Sequence, residues 1–435
     1  MEVVNYSNKS SSQRKNTSTG SKHNNPSSKT LAWTNTSQKS SKPNFFNPEN
    51  GSHEFHAICS EGLLSFLKEE VLSHNLDIES ENRGGIFFTG ELSDVFQFLA
   101  STEVSSKVGV SLAGFSILDL DEFYDKAVEL PWEKVLGPRT KFKIEGKTKD
   151  CLPDSRFAIY KLKDAILDHF RNIEAPFPDV DLESPDVVLN LRSFQNQVRI
   201  ELLLHKSSLT KRGYRERAGD ATLRENIAAG LLKFSGWQEN AILIDPYCGQ
   251  GTILIEAALK LKMGFYKNKN KFIAKRILIN LFPDFDFENF LPESKVEAQT
   301  KPLLIGLDIS SQAIDQAKLD AKKAGVEDWI YFTEGNLHEL SFLLNEYPAD
   351  LEKFIVTDPP FGKRLGTRED AVAIYAELGA FLKENIKPSH LCIITSDPSL
   401  LGHLKLKKDA ELSLKNSNLK SKMVKYKIEW KPEKS

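Results

Sequence analysis

Two rhythms of apolar and polar residues divide the chain. From His53 to about residue 207, short alternating runs are interleaved with helical stripes. In EFHAICSEGLLSFLKEEVLSHNLDIESENRGGIFFTG, Ala57 and Ile58 lie in a first strand. Leu63, Leu64, Leu67 and Val71 form a helical stripe, and Gly84-Gly85 turns into the strand GIFFTG. SDVFQFLASTEV then reads as helix, KVGVSLAGFSI as strand and DLDEFYDKAVELPWEKVL as helix. KFKIEGKTK reads as strand, RFAIYKLKDAILDHFRNI as helix, and DVVLNLRSF with QVRIELLLH as a strand pair. This mixture predicts a small α+β module over residues 53–207.

From about residue 220 the rhythm changes. AILIDP, PLLIGLDI, KFIVTDPP and HLCIITSD are short apolar runs, each ending in a polar or turn residue, with helical patterns between most of them. Strands buried on both faces lose their alternation, so these runs predict a parallel sheet covered by helices, a Rossmann-like α/β domain over 208–435. DAELSLKN and KMVKYKIEW predict a closing hairpin. Residues 1–52 are rich in Ser, Asn, Thr and Lys, with too few aliphatics to offset the entropy of ordering; they predict a disordered tail.

Bulk properties then narrow the possibilities. Net charge is only −2 over 435 residues, so any nucleic-acid partner needs a local basic surface. The candidates are Lys141, Lys143, Lys147 and Lys149 in KFKIEGKTK, with Lys206, Lys211, Arg212 and Arg215; alternating lysines on a strand also describe an ordinary solvated face. Cys59, Cys151, Cys248 and Cys392 form no CxxC pair, which argues against a zinc site or a disulfide framework and for a reducing compartment. No apolar run approaches the roughly 20 residues that span a bilayer. The expectation is a cytoplasmic, metal-free protein, monomeric by default.

Three stretches carry chemistry. In AILIDPYCGQGTILIEAALKL a strand ends at Asp245, a loop containing Gly249 and Gly251 follows, and a helix begins near Gly251. The glycines permit close backbone approach, and the helix start supplies free N–H groups. Leu254 stands where the dinucleotide fingerprint needs its third glycine, which favours a ligand without a pyrophosphate. In LLIGLDISSQAIDQAKLDAKKAG a second strand ends at Asp308; Ser310 or Ser311 caps the next helix and Gly325 ends it. A carboxylate at that strand end suits two ribose hydroxyls. In KFIVTDPPFGKRLG, Asp358 is followed by Pro359, Pro360 and Phe361. The prolines lack donors but keep their carbonyls, so the loop offers acceptors for a planar amine beside an aromatic ring. Lys363 and Arg364 are suited to a substrate phosphate or to an ordinary solvated loop.

These residues resemble the THUMP-domain-containing RNA guanine-N2-methyltransferases, in particular the half of the bacterial 23S ribosomal RNA enzyme that makes N2-methylguanosine. The carrying stretches are KRGYRERAGDATLRENIAAGLL (211–232), DPYCGQGTILIEAAL (245–259), GLDIS (306–310) and DPPFGKRLG (358–366). The resemblance implies a ferredoxin-like plus THUMP module that grips RNA, followed by a class I methyltransferase domain. It implies S-adenosyl-L-methionine as cofactor, with its methionine end at Asp245, Gly249 and Gly251 and its ribose at Asp308. Pro246, Thr252, Ile309, Asn336 and Asp358 complete the implied cofactor set, and Asp358, Pro359, Pro360 and Phe361 would hold the flipped guanine. Three departures stand out: Asn336 replaces the family's usual Asp, a fused second methyltransferase domain has no counterpart in these residues, and the tetrad begins with Asp358 rather than Asn. An initial Asp is usual in related transfer-RNA enzymes, so ribosomal and transfer RNA both remain open, as does N6-methylation of adenine. Outside this class stand a nicotinamide-dependent oxidoreductase, for which DPPF has no role, and a non-enzymatic RNA-binding module with a decayed catalytic domain.

Overall fold

A computed structural model of the chain describes residues 44–47, 53–215, 222–263, 272–290, 303–360, 367–386, 389–416 and 419–428. Most of the expected tail, residues 1–43 and 48–52, lies outside the described residues. Order nevertheless begins earlier than the expected boundary at residue 52. Strand β1 (Asn44–Phe45) pairs with a later strand, and Phe46 is buried and stacks on His53. Two adjacent phenylalanines give this short stretch apolar area that the polar residues around it lack.

The amino-terminal module runs through β2 (Phe55–Cys59), α1 (Leu64–Ser73), β3 (Asp77–Asn82), β4 (Gly85–Thr89), α2 (Leu92–Ser101) and β5 (Ser105–Ser116). It continues with α3 (Leu120–Val128), β6 (Lys141–Lys147), α4 (Ser155–Asn172), β7 (Asp179–Val180), β8 (Val187–Phe194) and β9 (Gln197–Leu203). The strands form one sheet in the order β3-β4-β2-β5-β9-β8-β6-β7, with β1 on β5. All pairs are antiparallel except those of β6 with β7 and β8. Strand β3, DIESEN, escaped the sequence reading because it is a polar edge strand with no fully buried position. Helix α3 is shorter than expected: Pro131 stops the run, and a 3-10 turn at Trp132–Lys134 buries the Trp132 ring, whose Nε1 donates to the Ala127 carbonyl at 2.8 Å.

The second module contains α5 (Glu225–Ser235), β10 (Ile242–Asp245), α6 (Thr252–Met263), α7 (Lys275–Leu281), β11 (Leu304–Asp308), α8 (Ser311–Ala324) and β12 (Ile330–Glu334). After these come α9 (Leu337–Leu344), β13 (Lys353–Thr357), α10 (Arg368–Asn385), β14 (Ser389–Thr395), β15 (Lys408–Asn416) and β16 (Leu419–Ile428). The sheet order is β12-β11-β10-β13-β14-β16-β15. The first five strands are parallel, as expected, and β16 runs antiparallel to β14 with β15 beside it, which is the expected closing hairpin.

Successive residues of β10 feed two cores. Leu243 packs with the cluster that includes α5, α6 and α8, while Ile242 and Ile244 pack with α9 and α10. Strand β12 was not anticipated; its alternating half-exposed pattern marks a sheet edge rather than a buried run. The modules meet through aromatic packing of Phe96 in α2 on Phe272, Phe282, Phe285, Phe287 and Phe290, and through Lys233 of α5, which pairs with Glu103 at 2.8 Å. No described helix is long and apolar enough to cross a membrane.

Candidate active site

The strand order reverses at β10: β11 lies on one side of it and β13 on the other. Ligands of open α/β sheets bind outside the carboxyl ends of strands at such a switch point. The register places Asp245 opposite Gly306 and Ile244 opposite Ile355. Asp308 and Asp358 therefore follow just beyond, one to each side of Asp245. Three carboxylates emerge along one rim.

Asp245 is buried, and its Oδ1 accepts from Thr357 Oγ1 at 2.6 Å and from the Tyr247 amide at 3.3 Å. Burial pushes its carboxyl up to about 7, and the nearby charges of Asp358 and Asp308 act in the same direction against the two hydrogen bonds. That mutual repulsion places the three acids in one electrostatic environment. Asp308 accepts from the Gly249 amide through Oδ2 and from the Ser310 amide through Oδ1, both at 2.9 Å, which locks it to the glycine loop. Ile309, next to it, is 74% exposed and gives the rim an apolar shelf.

The loop from Cys248 to Gly251 is a turn closed by the Gly251 amide donating to the Cys248 carbonyl at 2.8 Å. Gly249 and Gly251 both have positive φ, at +53° and +74°. Gly251 has a second constraint, because a Cβ there would come within 2.6 Å of the Phe332 ring. A Cβ on Gly249 would meet nothing within 4 Å, so that side of the backbone is open to approach. Cys248 turns inward; burial and the charges of Asp245 and Asp308 push its thiol well up, which disfavours the thiolate.

Sequence reasoning thus named residues that the fold brings together: Asp245, Gly249, Gly251, Asp308, Ile309 and Asp358 share the rim. Pro246 and Pro359 are buried beneath it, and Pro360 is half-buried. Thr252 is buried, and its hydroxyl accepts from Arg215. Asn336 caps α9, with its side-chain oxygen accepting from the His338 amide at 2.7 Å; the preceding Gly335 amide donates to the Asp308 carbonyl at 3.0 Å, which keeps the position beside the rim. Phe361, Lys363 and Arg364 lie outside the described residues. Sequence reasoning missed Thr357, whose buried hydroxyl joins β13 to Asp245. A threonine closing an apolar run carries no distinct signal.

The expected phosphate contacts divide into two groups. Lys141, Lys147, Lys149, Lys206 and Lys211 are exposed and Lys143 is half-buried; Lys141 pairs with Asp181 at 3.0 Å. Arg212 and Arg215 are a correction. Their side chains are 2% and 8% exposed and face Glu256, Asp320 and Glu225, so neither guanidinium is displayed to solvent. Acidic residues on α5, α6 and α8 draw them inward, a pull that the local sequence KRGYR does not reveal.

Known proteins resemble this chain in sequence and fold. Residues 212–425 match the family model "RMKL-like, methyltransferase domain", and residues 118–202 match the THUMP domain. The protein named ribosomal RNA large subunit methyltransferase K/L from Allochromatium vinosum is 31% identical over 392 residues, covering 87% of this chain and 52% of that protein. The chain spans about half the length of the curated relatives it matches. Among solved structures, a putative methyltransferase complexed with SAH is 20% identical with a TM-score of 0.70, covering 88% of this chain and 100% of that one. A predicted N6-adenine-specific DNA methylase from Listeria monocytogenes is 24% identical, also with a TM-score of 0.70, over 88% of this chain and 97% of the other. These likenesses fix the class I methyltransferase fold. The chain thus carries a THUMP domain followed by an RMKL-like methyltransferase domain.

Proposed function

We propose that the chain transfers a methyl group from S-adenosyl-L-methionine to the N2 amino group of a guanine in large-subunit ribosomal RNA. The observation that carries this reading is the convergence of Asp245, Asp308 and Asp358 on one rim around a glycine turn with an open face. The residues present fit the cofactor. Gly249 leaves room for close approach, Asp308 is a fixed acceptor for ribose hydroxyls, and exposed Ile309 offers an apolar surface for a flat base. When bound there, S-adenosyl-L-methionine supplies an electrophilic methyl on a sulfonium. Asp245, whose burial raises its carboxyl to about 7, gives the positively charged end a partner in a low-dielectric setting when it is ionised.

The amine side of the reaction falls to Asp358 and the residues that follow it. A guanine amino group is a weak nucleophile because its lone pair is delocalised into the ring. Asp358 and the Pro359 carbonyl act as acceptors for its two N–H groups, orient it for in-line attack and stabilise the positive charge that grows on nitrogen. The target base has to leave its stack, at a cost of a few kcal/mol, and stacking on Phe361 returns ~1–3 kcal/mol of it. The relatives' names support ribosomal RNA as the substrate, and the THUMP match supports RNA over DNA. Nucleoside mass spectrometry of ribosomal and transfer RNA from cells lacking the gene tests the reading. The expected result is loss of one N2-methylguanosine from large-subunit RNA. Loss confined to transfer RNA, or loss of N6-methyladenosine, would replace the substrate named here.

A further inference from the structure

The run Lys211-Arg212-Gly213-Tyr214-Arg215 links the two modules, and the function proposed above gives it no task. Its arginines are buried, and a guanidinium carries five donors in a fixed fork. Where those donors point defines what each arginine holds. Arg212 Nη2 donates to the Glu103 carbonyl of the amino-terminal module at 2.5 Å, Nη1 donates to the Leu209 carbonyl at 2.6 Å, and Nε faces Glu256 of α6 at 3.4 Å. Arg215 Nη2 donates to Thr252 Oγ1, and Nη1 donates to the Leu223 carbonyl at 3.3 Å. The carboxylates of Asp320 in α8 and Glu225 in α5 stand 3.6 and 3.9 Å from the same guanidinium.

Thr252 is the first residue of α6 and follows Gly251 directly. The glycine turn before it has little to anchor it from its own side chains. Its start is held by the Cys248 amide on the Leu307 carbonyl, its middle by the Gly249 amide on Asp308, and its end by the Arg215–Thr252 contact. Arg215 thus joins the end of the turn to α5 and α8, while Arg212 joins the same helix α6 to the amino-terminal module.

We propose that Arg215 is a positioning residue for the ligand loop, holding Thr252 and through it the Cys248–Gly251 turn, and that Arg212 makes this hold depend on the amino-terminal module being seated. This rests on reading the turn as the cofactor loop. The linker is an internal clamp that couples the placement of the RNA-binding module to the shape of the cofactor site, and it contributes no phosphate contact through either arginine.

Hydrogen exchange on the full chain, with binding of S-adenosyl-L-homocysteine and of bulk RNA measured separately, tests it. Arg215→Lys keeps the charge but loses the fork. The expected result is amide exchange faster by roughly tenfold at Gly249, Gln250 and Gly251, with little change in the thermal midpoint. Affinity for S-adenosyl-L-homocysteine falls roughly tenfold or more, since small misplacements of such loops are costly, while RNA affinity is unchanged. Asp320→Asn, on the far side of the guanidinium, gives a smaller change in the same direction and carries the test should Arg215→Lys not fold. Unchanged exchange in the turn overturns the proposal. So does lower RNA affinity with unchanged ligand affinity, which returns Arg215 to a phosphate contact. A rise in exchange spread over both modules with a lowered thermal midpoint also overturns it, as the mark of a merely structural residue. If the unaltered protein does not bind S-adenosyl-L-homocysteine, the cofactor assignment fails instead, and exchange in the turn still decides the proposal.

Discussion

The two sheets treat a buried carboxylate in opposite ways. In the amino-terminal sheet, Glu201 sits in the middle of a face, fully buried, with His56 Nδ1 at 2.6 Å and the Asn190 amide donating at 2.7 Å. Burial alone would raise its carboxyl, yet His56, the Arg192 charge and Asn190 hold it down at about 2. In the carboxyl-terminal sheet, Asp245 is equally buried but sits at a strand end, with two hydrogen bonds and two other carboxylates nearby, and it stands near 7. The first acid has its counter-charge built in. The second faces the rim with no cationic partner beside it among the described residues, and under the proposed function a ligand supplies the counter-charge. A mid-sheet position surrounds a side chain with protein on every side, whereas a strand end opens onto the crevice. The first arrangement makes a support and the second a site.

That contrast is most strongly tested at the rim. Asp358→Ala should lower turnover by about 10²–10³ or more, the scale of losing an acceptor that acts in the transition state. Calorimetry should show S-adenosyl-L-methionine still binding; near-normal turnover would remove Asp358 from the chemistry. In the other sheet, His56→Ala removes the partner of one buried Glu201 oxygen and leaves Asn190 on the other. It should cost about 3–5 kcal/mol of stability in urea titrations, the scale of breaking a buried pair, and leave cofactor affinity unchanged. A variant of normal stability would mean that the pair is no support at all.

The pH dependence of the two acids has opposite sign. The raised value of Asp245 means that the folded protein binds a proton more tightly than the unfolded chain, so its contribution to stability falls as pH rises from about 4 to about 7. A cationic ligand needs the ionised form. Cofactor affinity measured by calorimetry should therefore weaken as pH drops below about 7, approaching tenfold per unit for one coupled proton. Flat affinity from pH 8 to 5.5 would detach Asp245 from the ligand. The depressed value of Glu201 makes its stabilising contribution complete above the unfolded value, to be lost progressively as pH falls from about 4.5 to about 2. The smallest expected effect is at the surface. Lys147→Ala with Lys149→Ala should reduce RNA affinity a few-fold and flatten its dependence on log salt by about 0.7 per lost phosphate contact on single-stranded RNA, with cofactor binding untouched. An unchanged salt slope would make this strand an ordinary solvated face.

The same difference explains what the sequence revealed. Chemistry at the ends of buried parallel strands is legible, because an apolar run that stops at an acid is a local pattern: Asp245, Asp308 and Asp358 were all readable that way. The hold on those acids is not local. Thr357 reaches Asp245 from a neighbouring strand, and Arg215 reaches Thr252 across the linker, so neither contact has a spacing in sequence. The two arginines look like phosphate ligands in KRGYR because Glu256 on α6 and Asp320 on α8, which face them, lie far along the chain. Edge elements were lost for a different reason. Strands β3 and β12 bury too little to show a strong period, and β1 is only two residues long. His56 and Glu201 gave no signal, since a strand position records burial but not the partner 145 residues away.

A crystal structure of the chain with S-adenosyl-L-homocysteine tests the central claim most directly. The ribose hydroxyls are expected on Asp308, the amino-acid end beside Asp245 and Gly249, and the sulfur turned towards Asp358. A ligand seated away from this rim, or one whose sulfur points away from the Asp358 turn, would contradict the account.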